Sequence, residues 1–186
     1  GIAIVHPYHL FGLFSGINSF AVGSFRIFPA DFPVKYSGKL SSVIDIRTKT
    51  PSRDRSTTVN LSLISSSITH SNRWDNHWLL LAGRRTNIDF ITDLVNKSIP
   101  YTFYDANLKY IYTVNNELQI RVYGFYNNDS FDPSIRSIAD ANPEDPSLNN
   151  NWGNAMWAVE VARDVDNSLA TMRYSYSNNF VRMDNP

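Results

Sequence analysis

The chain sets few reactive side chains close enough to act together. It has no cysteine, so thiol nucleophiles, thiolate metal sites and disulfides are all excluded. It has neither a Gly-x-Ser-x-Gly elbow nor a Gly-rich phosphate loop. His6 and His9 resemble a metal pair, but Pro7 lies between them and no third ligand is near, so the stretch reads as a polar loop. Asp140, Glu144 and Asp145 offer oxygens to a cation, yet Pro143, Pro146 and the spacing fit turn chemistry better. The expectation is therefore no enzyme, no catalytic residue, no cofactor and no metal site. What remains is charge on strand-like runs and aromatics near loops. Arg84 and Arg85 close one run, and consecutive strand residues point to opposite faces. Asp105, Asn107, Lys109, Glu117, Gln119 and Arg121 occupy the polar parity of two others. Phe90, Tyr101, Tyr104 and Phe131 lie in or beside long connections, where an aromatic ring can stack on a ligand.

The elements that position these residues are strands. Tyr104, Ala106, Leu108, Tyr110, Tyr112 and Val114 alternate with Asp105, Asn107, Lys109, Ile111 and Thr113. Beyond Asn115-Asn116 the alternation resumes, with Leu118, Ile120, Val122, Gly124 and Tyr126 on one parity. This predicts a hairpin with one apolar and one polar face and a two-residue Asn-Asn turn. An apolar band bordered by tyrosines, opposite a polar face, suits a transmembrane β-barrel. A soluble β-sandwich, such as a carbohydrate-binding module, alternates in the same way.

Composition narrows the class. Lys+Arg and Asp+Glu number 17 each, so no charge excess points to nucleic acid. Mean hydropathy is −0.29, and no apolar run is long enough for a membrane helix. A β-barrel is compatible with both facts, because its lumen and loops are polar. The chain lacks a basic, apolar leader at Gly1, and Met183-Asp184-Asn185-Pro186 follows a strand-like run directly. Both ends suggest a fragment of a longer protein.

Along the chain, residues 1–23 are apolar and Gly-punctuated, and 24–28 and 41–48 read as strands. Residues 51–56 form a polar linker, and alternating strands follow. A phase slip at 65–67 predicts a bulge or tight turn. Polar residues 70–76 predict a turn before a strand over 77–86, and 88–95 has helical character. Another hairpin covers 152–163 and 169–180, turning at 164–167. Connections at 70–76, 115–116 and 164–167 are short, and those at 87–103 and 128–150 are long. Outer-membrane barrels segregate loop length in this way, with short periplasmic turns.

Phe32-Pro33 and Tyr36-Ser37-Gly38-Lys39-Leu40-Ser41-Ser42-Val43-Ile44-Asp45-Ile46-Arg47-Thr48-Lys49 resemble the end of the plug domain of TonB-dependent outer-membrane receptors, most closely the Bacteroidetes-type branch. Tyr8-His9-Leu10-Phe11-Gly12-Leu13-Phe14-Ser15 is similar to an upstream plug segment of that branch. Leu63-Ile64-Ser65-Ser66, Gly83-Arg84-Arg85-Thr86 and Trp152-Gly153-Asn154 resemble its early barrel strands. Ser37 and Lys39 depart from the family's Gly and Arg, and Ile17-Asn18-Ser19-Phe20 and Pro29-Ala30-Asp31 from its usual turns. The resemblance implies a mostly β chain: residues 1–50 the C-terminal part of a plug, 51–56 a linker, and 57–186 the opening antiparallel strands of an incomplete transmembrane barrel. It implies uptake of a scarce small-molecule or oligomeric nutrient (siderophore, vitamin, glycan or peptide) across the bacterial outer membrane. Its partners would be outer-membrane lipid and TonB, the latter through a box N-terminal to the plug and absent from this chain. It makes Phe90, Tyr101 and Phe131 extracellular ligand candidates. Asp45, Arg47, Arg84, Arg85 and Arg121 become plug–barrel contact candidates, with Asp45 a plug carboxylate for one of Arg84 and Arg85.

Overall fold

The structure, a computed structural model, describes residues 4–5, 7–9, 12–31, 33–36, 42–50, 55–88, 101–131, 149–165 and 168–184. The chain is mostly β and antiparallel. In the N-terminal segment, β1 (Tyr8–His9) pairs with β2 (Phe14–Ser15), and β3 (Val22–Phe28) with β4 (Val43–Thr48). A 3-10 turn over Ser19–Ala21 joins the two pairs, and the Asn18 side chain caps it by accepting from the Phe20 amide.

Seven strands follow as a meander: β5 (Ser56–Leu61), β6 (Ser65–Trp74), β7 (His77–Thr86), β8 (Tyr101–Thr113), β9 (Leu118–Phe131), β10 (Asn149–Val165) and β11 (Ser168–Asp184). Each pairs with its neighbours in sequence, and the sheet is open, with β5 and β11 at its edges. β8 and β9, of 13 and 14 residues, exceed the roughly 9–11 residues that a tilted strand needs to cross a bilayer.

Several boundaries differ from the expectations. The phase slip near Ser65 is a tight turn: Ser62 Oγ donates to the Ser65 carbonyl and accepts from its amide. The polar stretch 70–74 is strand, and the turn is only Asp75-Asn76, with Asp75 at φ 45°. Ser71 and Arg73 fit inside a strand because they lie on its polar face. The 115–116 turn is one residue longer than expected. The Val114 amide donates to the Leu118 carbonyl, and Asn115 Oδ1 accepts from the amides of Glu117 and Leu118. The extra residue decides the register. A two-residue turn would set Tyr110 opposite Arg121; the observed one sets Tyr110 opposite Val122 and Leu108 opposite Gly124.

β9 runs on to Phe131 and β10 starts at Asn149, so only 132–148 of the expected 128–150 loop separates them, and those residues lie outside the described ones. The same holds for 51–54 of the linker and for the expected helix beyond Ile88. Ser56, assigned to the linker, already opens β5.

Burial assigns the two faces of the sheet. Tyr101, Phe103, Asp105, Asn107, Lys109 and Ile111 of β8 are buried, while Tyr104 and Leu108, on the alternate parity, are exposed. The buried face therefore carries charge, and the exposed face carries Val59, Ile68, Leu81, Leu108, Trp157, Val159, Met172 and Tyr174. A soluble sheet has the opposite polarity. The main apolar cluster, Ala21, Trp78, Leu80, Ala82 and Ile111, joins the N-terminal segment to the buried face of β7 and β8.

Candidate functional site

The N-terminal segment lies on the polar face of the sheet, and a row of polar contacts fixes it there. The Val5 amide donates to Asn154 Oδ1 at 3.2 Å on β10, and Asn18 Nδ2 to the Gly83 carbonyl at 3.5 Å on β7. Arg84 on β7 donates to the Ser15 carbonyl, and Lys109 on β8 to the Lys49 carbonyl at 2.9 Å. Gly16 packs so closely between Pro7 and Asn127 that a Cβ there would come within 2.8 Å of the Pro7 carbonyl carbon. Only glycine lets the backbone approach this near.

At the centre sits His9. It is wholly buried and stacks on Phe103, with ring centroids 4.3 Å apart. Its Nδ1 lies 2.8 Å from Asp129 Oδ2 and its Nε2 3.5 Å from Asp105 Oδ2. Asp105 also accepts from Arg84 Nε at 2.6 Å, and Asp129 from the Tyr101 hydroxyl. Burial alone would lower the His9 pKa, but hydrogen bonds and attraction from the two carboxylates outweigh it, so the pKa is raised. His9 therefore favours the imidazolium, the form that balances two buried aspartates. The two carboxylates lie against different ring nitrogens, and no group of three or more metal-ligating residues exists among the described residues.

A second cluster lies toward the edge of the sheet. Glu160 on β10 accepts from Arg121 Nη1 on β9 and from Arg173 Nε on β11, each at 2.8 Å. Arg121 also donates twice to Gln119. This network ties three strands together on the polar face.

The expected site residues are placed as follows. Arg84 and Arg85 do point to opposite faces: Arg84 is inward, and Arg85 is exposed and paired in register with Tyr104. The Asp45 pairing expected for them is not what Arg84 makes, because Asp105 on the neighbouring strand takes its guanidinium. Asp45 instead lies 3.4 Å from Arg47, two residues along β4. Arg121 bonds within the sheet. Tyr101 is no loop residue; it opens β8 and is buried against Trp152 and Asp129. Phe131 closes β9, half-buried. Phe90 and His6 lie outside the described residues.

Sequence reasoning missed the role of His9. The signal was a histidine in an apolar, Gly-punctuated segment, in a chain with aspartates on polar strand parities. It also missed Glu160, which sits among valines and alanines in a run where an acid needs a partner.

The exposed face has its own order. Trp74, His77 and Tyr112 stack at the end with the short turns, and Tyr110 donates to or accepts from His77 Nδ1 at 2.7 Å. Tyr104, Tyr126 and Phe180 stack toward the other end. Between them, around Gly124, lies a shallow apolar groove of about 440 Å³ walled by Leu81, Leu108, Trp157 and Tyr176.

The chain matches no family model, no curated protein and no solved structure. The fold and site thus define a class of architecture: an open antiparallel sheet, apolar outside, whose polar face is covered by its own N-terminal segment.

Proposed function

We propose that this chain is part of a TonB-dependent receptor of the bacterial outer membrane, with residues 1–50 belonging to the plug and the seven-stranded sheet to the wall of a transmembrane β-barrel. The observation that carries the reading is the inverted polarity of the sheet. The His9–Asp129 and Arg84–Asp105 pairs are buried where the N-terminal segment meets the sheet, and Val59, Leu81, Leu108, Val159 and Tyr174 are exposed on the opposite face. In water that exposed face costs free energy in proportion to its apolar area; in a bilayer it costs nothing. Aromatic stacks at both ends of the apolar band suit the two membrane–water interfaces. The receptor takes up a scarce small-molecule or oligomeric nutrient, using energy relayed by TonB, and performs no chemistry on it. A carbohydrate-binding β-sandwich would need a second sheet over Leu108 and Trp157, and both are exposed.

The test is Leu108→Asp in the whole receptor. A charge near the bilayer midplane costs on the order of a few kcal/mol, so the variant should not assemble in the outer membrane. Normal assembly with heat-modifiable migration would sink the reading.

A further inference from the structure

The polar face holds a cavity of about 560 Å³ near the short-turn end of the sheet, beside Thr50. Its floor is Trp78 and Ile111, and its wall includes Arg73, Lys109, Arg121 and Tyr123. Among the described residues, no carboxylate lines it. The three cations come from three different strands, β6, β8 and β9. Their charge is poorly matched. Among the described residues, Lys109 donates to the Lys49 carbonyl and lies over the Trp78 ring, while Arg121 donates to Gln119 and shares the one carboxylate, Glu160, with Arg173. Arg73 is exposed on the rim. A second, independent observation comes from the floor: the buried Trp78 Nε1 is a hydrogen-bond donor without an acceptor among the described residues. Buried donors normally have partners, and this one belongs to a residue that lines a cavity walled by cations, where an acceptor can enter from outside.

We propose that this cavity is a binding site for an oxyanion, a carboxylate- or phosphate-bearing ligand held by Arg73, Lys109, Arg121 and the Trp78 indole N–H. The donor set favours several oxygens over one. Guanidinium forks bind carboxylate and phosphate in bidentate fashion, while the ammonium and the indole each give a single directed bond. The partly enclosed setting strengthens each of these interactions relative to water. Lys109 and Arg121 are diagonal neighbours on adjacent strands, roughly 7–8 Å apart at the backbone, a span that a compact polyanion can bridge. The site rests on these charges and not on the membrane reading. If both hold, the cavity gives the receptor a preference for acidic cargo on the side where the short turns lie.

Calorimetry on the whole receptor in neutral detergent would test it, with citrate and inorganic phosphate as probes at low salt. Saturable binding of either is expected, weakening as salt rises, and the tighter of the two identifies the chemistry. Arg73→Gln should weaken it about tenfold, the usual loss for one charge-assisted contact. Trp78→Phe, which keeps the ring and removes the N–H, should weaken it severalfold. Arg73 is exposed, so its variant decides the matter even if Trp78→Phe fails to assemble. Absence of saturable binding by either anion, or unchanged affinity in Arg73→Gln, overturns the site. A receptor that inserts normally but binds no anion removes the site alone; a soluble chain that binds anions removes the membrane reading alone.

Discussion

His9 Nδ1 and Asp129 Oδ2 are 2.8 Å apart, both wholly buried, one on the N-terminal segment and the other on β9. Together with Asp105 they form the charged part of the contact between segment and sheet. Neither side is satisfied alone. Without the imidazole, two aspartates lie buried with Arg84 the one cation paired to them among the described residues. Without the sheet, the imidazole has no reason to leave water. The contact is therefore a latch, strong when complete and costly when broken.

His9→Gln should release the segment. Breaking a buried ion pair by removing one partner costs roughly 3–5 kcal/mol. Hydrogen exchange of residues 8–9 and 12–21 in the whole protein should speed up by about a hundredfold or more, while exchange in β8 and β9 changes little. Unchanged protection of the segment would mean that the Ala21–Trp78 cluster and the remaining polar contacts hold it without the latch.

The latch should also depend on pH. The folded-state pKa of His9 is raised above its ordinary value of 6.5. The stabilisation from its charge is fully present below about pH 6.5 and is lost as pH rises through the folded pKa. Protection of the segment should therefore be highest under mildly acid conditions and fall toward alkaline pH. The His9→Gln variant should lose this pH dependence. A parent protein whose segment is equally protected at pH 6 and pH 9.5 would contradict it.

How much of this was legible in the sequence differs between strands and contacts. The Tyr104–Tyr126 hairpin could be read because its alternation is strict. The structure keeps Leu108, Tyr110, Ile120, Val122 and Gly124 on one face, as parity required. The strand at 77–86 was found with its limits correct, although Trp78-Leu79-Leu80-Leu81 is apolar on both parities. The structure explains that pattern: Trp78 and Leu80 bury against Ala21, while Leu81 lies on the exposed face. β6 was the hard case. Ser71, Asn72 and Arg73 have turn-like composition, and only a covered polar face makes them strand. The latch was illegible for a different reason. His9 and Asp129 are 120 residues apart, and no local pattern encodes such a contact.

The register of β8 against β9 rests on a three-residue turn, and it can be tested by deletion. Removing Asn116 would leave the strands two residues to turn on and shift the pairing by one. Either Arg121 then moves to the face of Tyr110, or the strands twist apart. The deletion should abolish assembly, and replacing Asn116 with Gly should not. Normal assembly of the deletion would show that the apolar face does not set the register.

The last prediction concerns the two ends of the sheet. In the meander, the connections 75–76, 114–117 and 166–167 all fall at one end, and the connections 87–100 and 132–148, with the tight turn at 62–64, at the other. Ser56 enters β5 at the short-turn end, paired with Ser71, so the N-terminal segment feeds the sheet from that side. In a barrel this is the periplasmic side, where the chain needs only to reverse, whereas ligand capture needs extended polar loops outside. If the whole protein is the proposed receptor, an epitope tag near Asn142 should stain on intact cells, and one at Asn116 should stain only after the outer membrane is opened. The reverse pattern would invert the topology. If neither tag stains on intact cells carrying a folded receptor, the long connection is not displayed at the surface, and the proposed site of ligand capture fails with it.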